Sequence, residues 1–217
     1  MLPFSREAFI GVFVDYNLSV WPLQIVAYAV GVGMVALLFR SSSLSGRLMA
    51  AGLAAMWLWT GVVYHGIYFS TINPAAVLFA ILFAIQGVAF LYFGGVRGQL
   101  QFAPPSGTIS WIGAALVGYA AILYPIIGLR VGHGYAELPM FGITPCPVTI
   151  FTFGLLLLTT GRFSRWLLVI PFLWTLVGGS AAFLLGIPQD WLLLVTGVIA
   201  GSLLIWRDSH AGSAAAA

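Results

Sequence analysis

Apolar residues run through this chain in long stretches, separated by short segments that contain glycine, proline or polar side chains. A helix needs about 20 mostly apolar residues to cross a bilayer. Seven stretches reach or approach this length, so each predicts one membrane-spanning helix. They are residues 20–39, 48–70, 74–95, 108–130, 147–161, 166–186 and 190–206.

The first residues follow a different pattern, with apolar side chains on only one helical face. Between residues 4 and 17 the apolar positions recur at helical spacing, opposite one basic and two acidic side chains. Ser5 stands where an N-cap residue is expected. The pattern predicts a short helix that lies in the membrane interface. Its apolar face would consist of Phe9, Val12, Phe13 and Tyr16.

The composition agrees with this pattern. Of the 217 residues, 61% are hydrophobic and 6% are charged, which is outside the range of soluble domains. The sequence therefore predicts an all-α bundle of seven transmembrane helices with an N-terminal interfacial helix, surrounded by lipid. We expect one domain over residues 1–208. Residues 209–217 end in small side chains, which predicts a disordered tail or an added linker.

The distribution of arginine indicates the orientation. Short cytoplasmic loops carry an excess of positive side chains. If the N-terminus is outside, six arginines lie at cytoplasmic helix ends and two lie outside, so we expect N-outside and C-inside. The six are Arg40, Arg47, Arg97, Arg162, Arg165 and Arg207, and the two are Arg6 and Arg130.

The positive charge also excludes some function classes. All eight basic side chains are arginines, because the chain contains no lysine. A retinal Schiff base needs a lysine amine and is therefore impossible. The net charge of +3 is explained by arginines at helix ends, so nucleic acid is not an expected partner. The sequence is compatible with association of the chain into a homo-oligomer.

The single cysteine is the strongest candidate for chemistry. Cys146 directly precedes Pro147, and proline is favoured at the first position of a helix. This predicts Cys146 as the N-cap of a helix that begins at Pro147. The positive end of a helix dipole would favour a thiolate there. The alternative is a buried, inert side chain.

A second group of candidates lies at the outer helix ends. His65 is close to the outer end of the second predicted span, beside Tyr64 and Tyr68. An ionisable residue inside a span is a functional hypothesis, because it costs free energy unless it is paired or faces water. A neutral imidazole bonded to a hydroxyl or a carbonyl is the structural alternative. Asn73 and Asp190 precede other helices on the same side, where plain capping is the alternative.

The outer loop between the fourth and fifth predicted spans adds further candidates. It carries His133 between two glycines, followed closely by Tyr135 and Glu137. If this loop folds over the bundle, His133 and Glu137 would meet His65 and Cys146. Two imidazoles, a thiolate and a carboxylate are ligand types of Zn²⁺ and copper ions. These four residues therefore form a candidate metal site.

Three functions fit these residues. The first is a transporter or solute-binding protein for a small anion or a thiophilic metal ion, and the second is an enzyme that uses Cys146 with His65 or His133 as base. The third is a structural or assembly subunit without a small ligand. The outer pocket of the first hypothesis would be lined by Tyr64, His65, Tyr68, Asn73, His133, Tyr135, Glu137, Cys146 and Asp190.

Several segments resemble a bacterial family that is known only as domain of unknown function 6064. The resemblance extends to about Ile205. It implies a multi-pass protein of the bacterial inner (plasma) membrane, and it implies no activity, cargo or cofactor. The segments that carry it are PFSREAFIGVFVDYN, WLWTGVVYH, INPAA, GHGY, TPCPVTIFTFGLLL and LVIPFLWTLVGGSAAFLLGIPQD.

Overall fold

The computed structural model describes residues 3–40 and 42–213, with side chains described to residue 209. In this part of the chain the regular secondary structure is helical, and one isolated bridge joins Phe102 to Thr159. The prediction of an all-α chain is confirmed. The α-helices are α1 (Arg6–Ser19), α2 (Leu23–Leu37), α3 (Ser43–Trp59), α4 (Ala76–Ala89), α5 (Thr108–Gly118), α6 (Tyr124–Arg130), α7 (Pro145–Leu157), α8 (Trp166–Leu185) and α9 (Trp191–Ser213).

Some of these helices change to π geometry, in which each hydrogen bond reaches five residues along the chain. Helix α3 continues through Thr60–Tyr68, α4 ends in Phe90–Val96, and Tyr119–Leu123 joins α5 to α6. Widening a helical turn by one residue changes which side chains face inward. The Thr60–Tyr68 segment, called the π segment below, carries two adjacent buried residues, Tyr64 and His65.

Five continuous helical stretches among the described residues are long and apolar enough to cross a membrane. Helices α1 and α2 together would provide a sixth, but their axes meet at 85°. The structure therefore gives five or six helices of spanning length where the sequence predicts seven. The five are Ser43–Thr71, Ala76–Val96, Thr108–Arg130, Trp166–Leu185 and Pro188–Ser209.

Helix α7 differs most from its prediction as a span over residues 147–161. It has 13 residues, or about 20 Å of length at 1.5 Å per residue. Every one of its residues is buried, and it packs against α3, α5, α8 and α9. Trp57 Nε1 of α3 donates a hydrogen bond of 2.9 Å to Thr152 Oγ1 of α7. A helix that is apolar all round is buried among other helices, and this position explains its uniform sequence.

Glycine allows α7 to approach α5 closely. A Cβ on Gly113 of α5 would lie 2.6 Å from the carbonyl oxygen of Gly154 in α7. A Cβ on Gly154 would lie 2.9 Å from the carbonyl oxygen of Gly113. Small residues at a helix contact let two backbones come together in this way.

Helix α1 confirms the predicted N-terminal helix and its cap. Ser5 Oγ accepts a hydrogen bond of 3.2 Å from the backbone N–H of Ala8. The apolar face packs on protein, because Val12, Phe13 and Tyr16 are buried. The Tyr16 hydroxyl donates to the carbonyl oxygen of Ile143 at 2.8 Å. The helix is therefore part of the bundle.

The loop from residue 131 to 144 divides into an outer and an inner half. Tyr135 is 55% exposed, whereas Leu138 and Phe141 are buried. The side-chain amide of Asn17 donates to the carbonyl oxygens of Ala136 and Leu138, both at 2.8 Å. The first half therefore lies at the surface, although the His133 side chain is only 8% exposed, and the apolar second half enters the bundle.

One end of the bundle carries Arg162, Arg165 and Arg207 and is called the arginine-rich end below. Contacts of α9 hold this end together. Arg207 donates to the carbonyl oxygen of Thr159 at 2.8 Å. Helix α9 continues to Ser213, so it extends into residues 209–217, for which the sequence predicts a disordered tail or an added linker. Residues 214–217 lie outside the described residues.

Candidate functional site

A cavity of about 310 Å³ lies at the end of the bundle opposite the arginine-rich end. Its walls come from the start of α1, the π segment, the second half of α8 and the turn that precedes α9. Most of the lining is aromatic or aliphatic, with a few polar side chains. The aromatic residues are Phe4, Phe9, Tyr64, Phe69, Phe79 and Trp174, and the polar residues besides Tyr64 include His65, Asn73, Ser180 and Asp190.

The cavity opens between α1 and the outward face of α8. Val177 and Leu184 line it and are 44% and 71% exposed. Arg6 of α1 donates from Nε to the carbonyl oxygen of Leu185 at 3.0 Å, which joins α1 to the end of α8. The start of α1 therefore covers one side of the cavity.

His65 is the polar residue at the centre of this site. Its side chain is buried, and neither ring nitrogen has a hydrogen-bond partner. Aromatic rings surround the imidazole, with the centroid of Phe83 at 4.7 Å and that of Trp174 at 5.0 Å. A buried polar group without a partner costs about 1–3 kcal/mol. The bond to a hydroxyl or a carbonyl, which was the structural alternative for His65, is not formed.

Trp174 provides a second polar atom of the same kind. Its indole Nε1 is buried, and its polar neighbour is the Cys146 thiol, a weak acceptor without close hydrogen-bond geometry. A Cβ on Gly178, one turn further along α8, would lie 3.0 Å from this nitrogen. The glycine therefore leaves space beside the indole N–H. Trp174 was not among the predicted site residues, because one tryptophan in an apolar helix resembles any core residue.

Asp190 is fixed at the inner wall of the cavity. It is 3% exposed, and its Oδ1 accepts a hydrogen bond from the Tyr124 hydroxyl. The neighbouring Gln189 carbonyl accepts from the Tyr119 hydroxyl at 2.8 Å. Both tyrosines flank the change from π to α geometry between α5 and α6. Tyr124 was not predicted, since nothing in the sequence relates it to a residue 66 positions away.

Cys146 differs from its prediction. Helix α7 begins at Pro145 with Thr144 as N-cap, so Cys146 lies inside the first turn and is not the N-cap. The thiol is buried, and its polar neighbours are the Asp190 carboxyl and the Trp174 indole. A cysteine nucleophile needs a general base within hydrogen-bond reach. The described surroundings place an acid there and not a histidine, so the structure does not support a Cys–His pair.

The outer-loop candidates do not reach the cavity. His133 Nδ1 lies 3.4 Å from Glu137 Oε2, and Tyr135 points outward with 55% exposure. Among the described residues no group of three His, Cys, Asp or Glu side chains could hold a metal ion. The metal site expected from His65, His133, Glu137 and Cys146 is therefore not formed. His133 pairs with Glu137, whereas His65 lies among aromatic rings and Cys146 lies beside Asp190 and Trp174.

The remaining candidates divide between the cavity and its surroundings. Asn73 lines the cavity, and its Oδ1 also accepts from the backbone N–H of Ala75 at 3.1 Å. Tyr68 instead packs edge to face on Tyr16, with centroids 5.2 Å apart. Of the predicted pocket residues, Tyr64, His65, Asn73 and Asp190 line the cavity.

The fold defines an all-α protein with several helices of membrane-spanning length. At one end of the bundle it has a cavity lined mainly by aromatic and aliphatic residues, with a few polar side chains. The chain belongs to a family of unknown function, DUF6064, whose family model matches residues 6–215. This confirms the resemblance seen in the sequence. No curated protein and no solved structure shows significant similarity to the chain.

Proposed function

We propose that this protein binds a small solute in the cavity between α1, the π segment and α8. The observation that carries the proposal is His65, which lines a cavity of about 310 Å³ and whose two buried nitrogens lack partners. Trp174 adds a buried N–H donor whose polar neighbour is the Cys146 thiol, a weak acceptor. A largely apolar pocket with a few convergent polar groups is typical of a small-molecule site. A bound solute with complementary polar atoms would satisfy both side chains.

The bundle is proposed to cross the bacterial inner (plasma) membrane seven times, with the N-terminus outside. Helix α7 would count as a crossing although it is short. Its first turn holds Cys146 beside Asp190, and just beyond its other end Thr159 accepts from Arg207 at the arginine-rich end. The surrounding helices shield α7 from lipid, so it need not match the bilayer thickness. The six-to-two distribution of arginines supports the orientation.

The cavity favours a different solute from the one that the sequence suggests. A carboxyl group, Asp190, forms part of its lining, and no arginine does. Such a site repels an anion. A thiophilic metal ion is disfavoured as well, because Cys146 is not part of the lining. We therefore propose a neutral or positively charged organic solute.

Binding is better supported than a continuous transport path. A second cavity lies between α8 and α9, near Phe153 and Arg165, at the arginine-rich side. It shares no lining residue with the cavity at His65. Transport through the bundle would require a rearrangement that joins the two.

Cysteine accessibility tests whether small molecules enter the cavity. Ala181 lines it, so we would introduce Ala181→Cys into a Cys146→Ser background and measure modification by methyl methanethiosulfonate in reconstituted protein. We expect modification that is faster than at Ala54→Cys, a position 1% exposed in the core. Equal rates at the two positions would mean that solutes do not enter, and would contradict the proposal.

The same variant tests the orientation. A membrane-impermeant methanethiosulfonate should modify Ala181→Cys when it is added outside intact cells. Gly161→Cys, in an exposed loop at the arginine-rich end, should react only after the membrane is opened. The reverse result would place the N-terminus inside.

A further inference from the structure

We infer that the solute is a small organic cation, an alkylated ammonium that also carries a hydroxyl or carbonyl oxygen. This inference deepens the proposed function and rests on it. Its first support is the wall of the cavity, where aromatic rings come from three separate parts of the chain. The faces of aromatic rings attract cations, and such cages recognise alkylated ammonium groups. The rings belong to Phe4, Phe9, Phe69, Phe79 and Trp174, together with Tyr64, whose faces are stacked on Phe13 and Phe69.

The charge of the lining is the second support. Asp190 is the only acidic residue among the lining residues, and the lining contains no arginine. The Tyr124 hydroxyl holds the Asp190 carboxyl in place at Oδ1. A fixed carboxyl beside aromatic rings supplies the counter-charge that an ammonium group requires, since a buried charge needs a partner.

The buried polar atoms of His65 and Trp174 indicate which polar group the solute carries besides its ammonium group. A neutral imidazole offers one N–H donor and one acceptor nitrogen, and an indole offers one donor. His65 and Trp174 pack edge to face, with ring centroids 5.0 Å apart. A hydroxyl group of a solute beside the two rings would donate to the imidazole nitrogen and accept from the Trp174 N–H, in place of the weakly accepting Cys146 thiol. An ammonium group without a polar oxygen would leave the imidazole unsatisfied.

A matched pair of probes tests this inference. Choline carries a trimethylammonium group and a hydroxyl, and its neutral tert-butyl analogue replaces the ammonium nitrogen with carbon at the same shape. We would titrate both by calorimetry into the full chain in nanodiscs of phosphatidylglycerol, a lipid without an ammonium group. We expect choline to bind roughly tenfold or more tightly than the neutral analogue.

Variants assign the preference to the cavity. Asp190→Asn keeps the shape and an acceptor for Tyr124, and should remove most of the preference for choline. Asp15→Asn changes an exposed carboxyl on α1 and should leave the preference unchanged. Ala181→Phe fills the cavity and should abolish binding of both probes. A loss of the preference in Asp15→Asn as well would overturn the assignment to Asp190.

The outcomes separate this inference from the proposed function. Binding of the neutral analogue at equal or higher affinity, still abolished by Ala181→Phe, would overturn the cation and leave the binding cavity intact. Binding of neither probe, together with a thiol at position 181 that does not react, would overturn the cavity as well.

A last arm distinguishes a free solute from a lipid headgroup. A short-chain phosphatidylcholine carries the same ammonium group as choline. Tighter binding of this lipid, abolished by Ala181→Phe, would identify the ligand as a headgroup that enters between α1 and α8. Tighter binding of free choline would identify a soluble cation. Both results support the inference, whereas a failure of both ligands overturns it.

Discussion

His65 and Trp174 pack edge to face with their ring centroids 5.0 Å apart, and neither nitrogen of the buried imidazole has a hydrogen-bond partner. One residue comes from the π segment and the other from α8, so two separate helices contribute polar residues to the same cavity. Native proteins satisfy nearly all buried polar groups. We therefore expect a bound ligand to provide the missing partner of His65.

Replacing His65 separates a structural role from a ligand-binding role. His65→Phe keeps an aromatic ring among Phe69, Phe79 and Phe83 and removes the two unsatisfied nitrogens. We expect thermal stability without solute to stay equal or to rise, since an apolar ring needs no partner. Affinity for choline should fall by about tenfold, the equivalent of one lost hydrogen bond. A large loss of stability with unchanged affinity would identify His65 as a structural residue.

The bond between Tyr124 and Asp190 should contribute strongly to stability. Tyr124→Phe leaves the buried carboxyl without its phenol donor and should cost about 1–3 kcal/mol. Tyr119→Phe is the matched control, because the Tyr119 hydroxyl donates to a backbone carbonyl and its loss should cost about 0.5–1.5 kcal/mol. Chemical unfolding in detergent micelles measures both. A double-mutant cycle with Asp190→Asn should show coupling for Tyr124 but not for Tyr119.

Cys146 should be a slow thiol in the folded protein. It is buried within a helix whose residues are all buried, so a bulky reagent must wait for local opening. We expect a maleimide to label the native protein at least about 100-fold more slowly than the protein unfolded in detergent, since reactive cysteines are partly exposed. Rapid labelling near neutral pH, slowed by His65→Ala, would restore the Cys–His hypothesis.

The contact between α5 and α7 should tolerate no side chain. Gly113→Ala would place a Cβ 2.6 Å from the Gly154 carbonyl oxygen, and backbone atoms cannot move aside as a side-chain end can. We expect a loss of about 1–3 kcal/mol from overpacking. Gly118→Ala on the same helix meets nothing within 4 Å and should be neutral or slightly stabilising, as alanine favours helix. Equal effects of the two substitutions would contradict the central position of α7.

The helical class and most helix positions could be predicted because they depend on local patterns. The apolar stretches and the Ser5 cap are readable from neighbouring residues. The cap is confirmed, and five of the seven stretches form helices of spanning length. The length of α7 could not be read in this way. Its sequence is as apolar as that of a lipid-facing helix. Its short length and its burial are explained only by the packing of α3, α5, α8 and α9 around it.

The site was predictable in part for the same reason. His65 stood out because a polar residue inside an apolar stretch costs free energy, and Asp190 stood out because it precedes a predicted helix on the outer side. Trp174 did not stand out, because its proposed role depends on the cavity beside it and not on its sequence neighbours. His133 and Glu137 were expected to meet His65 and Cys146, but they pair with each other, and the loop enters the apolar core after them, at Leu138.

The most direct test of the account is the nitrogen NMR signal of the His65 side chain in the full chain, assigned by its absence in His65→Phe. We would record it during titration with choline and with the neutral tert-butyl analogue. The account predicts that the His65 signals shift saturably with at least one probe, while those of His133 on the outer loop stay in place. Signals of His65 that remain unchanged at saturating concentrations of both probes would contradict a solute site at this cavity.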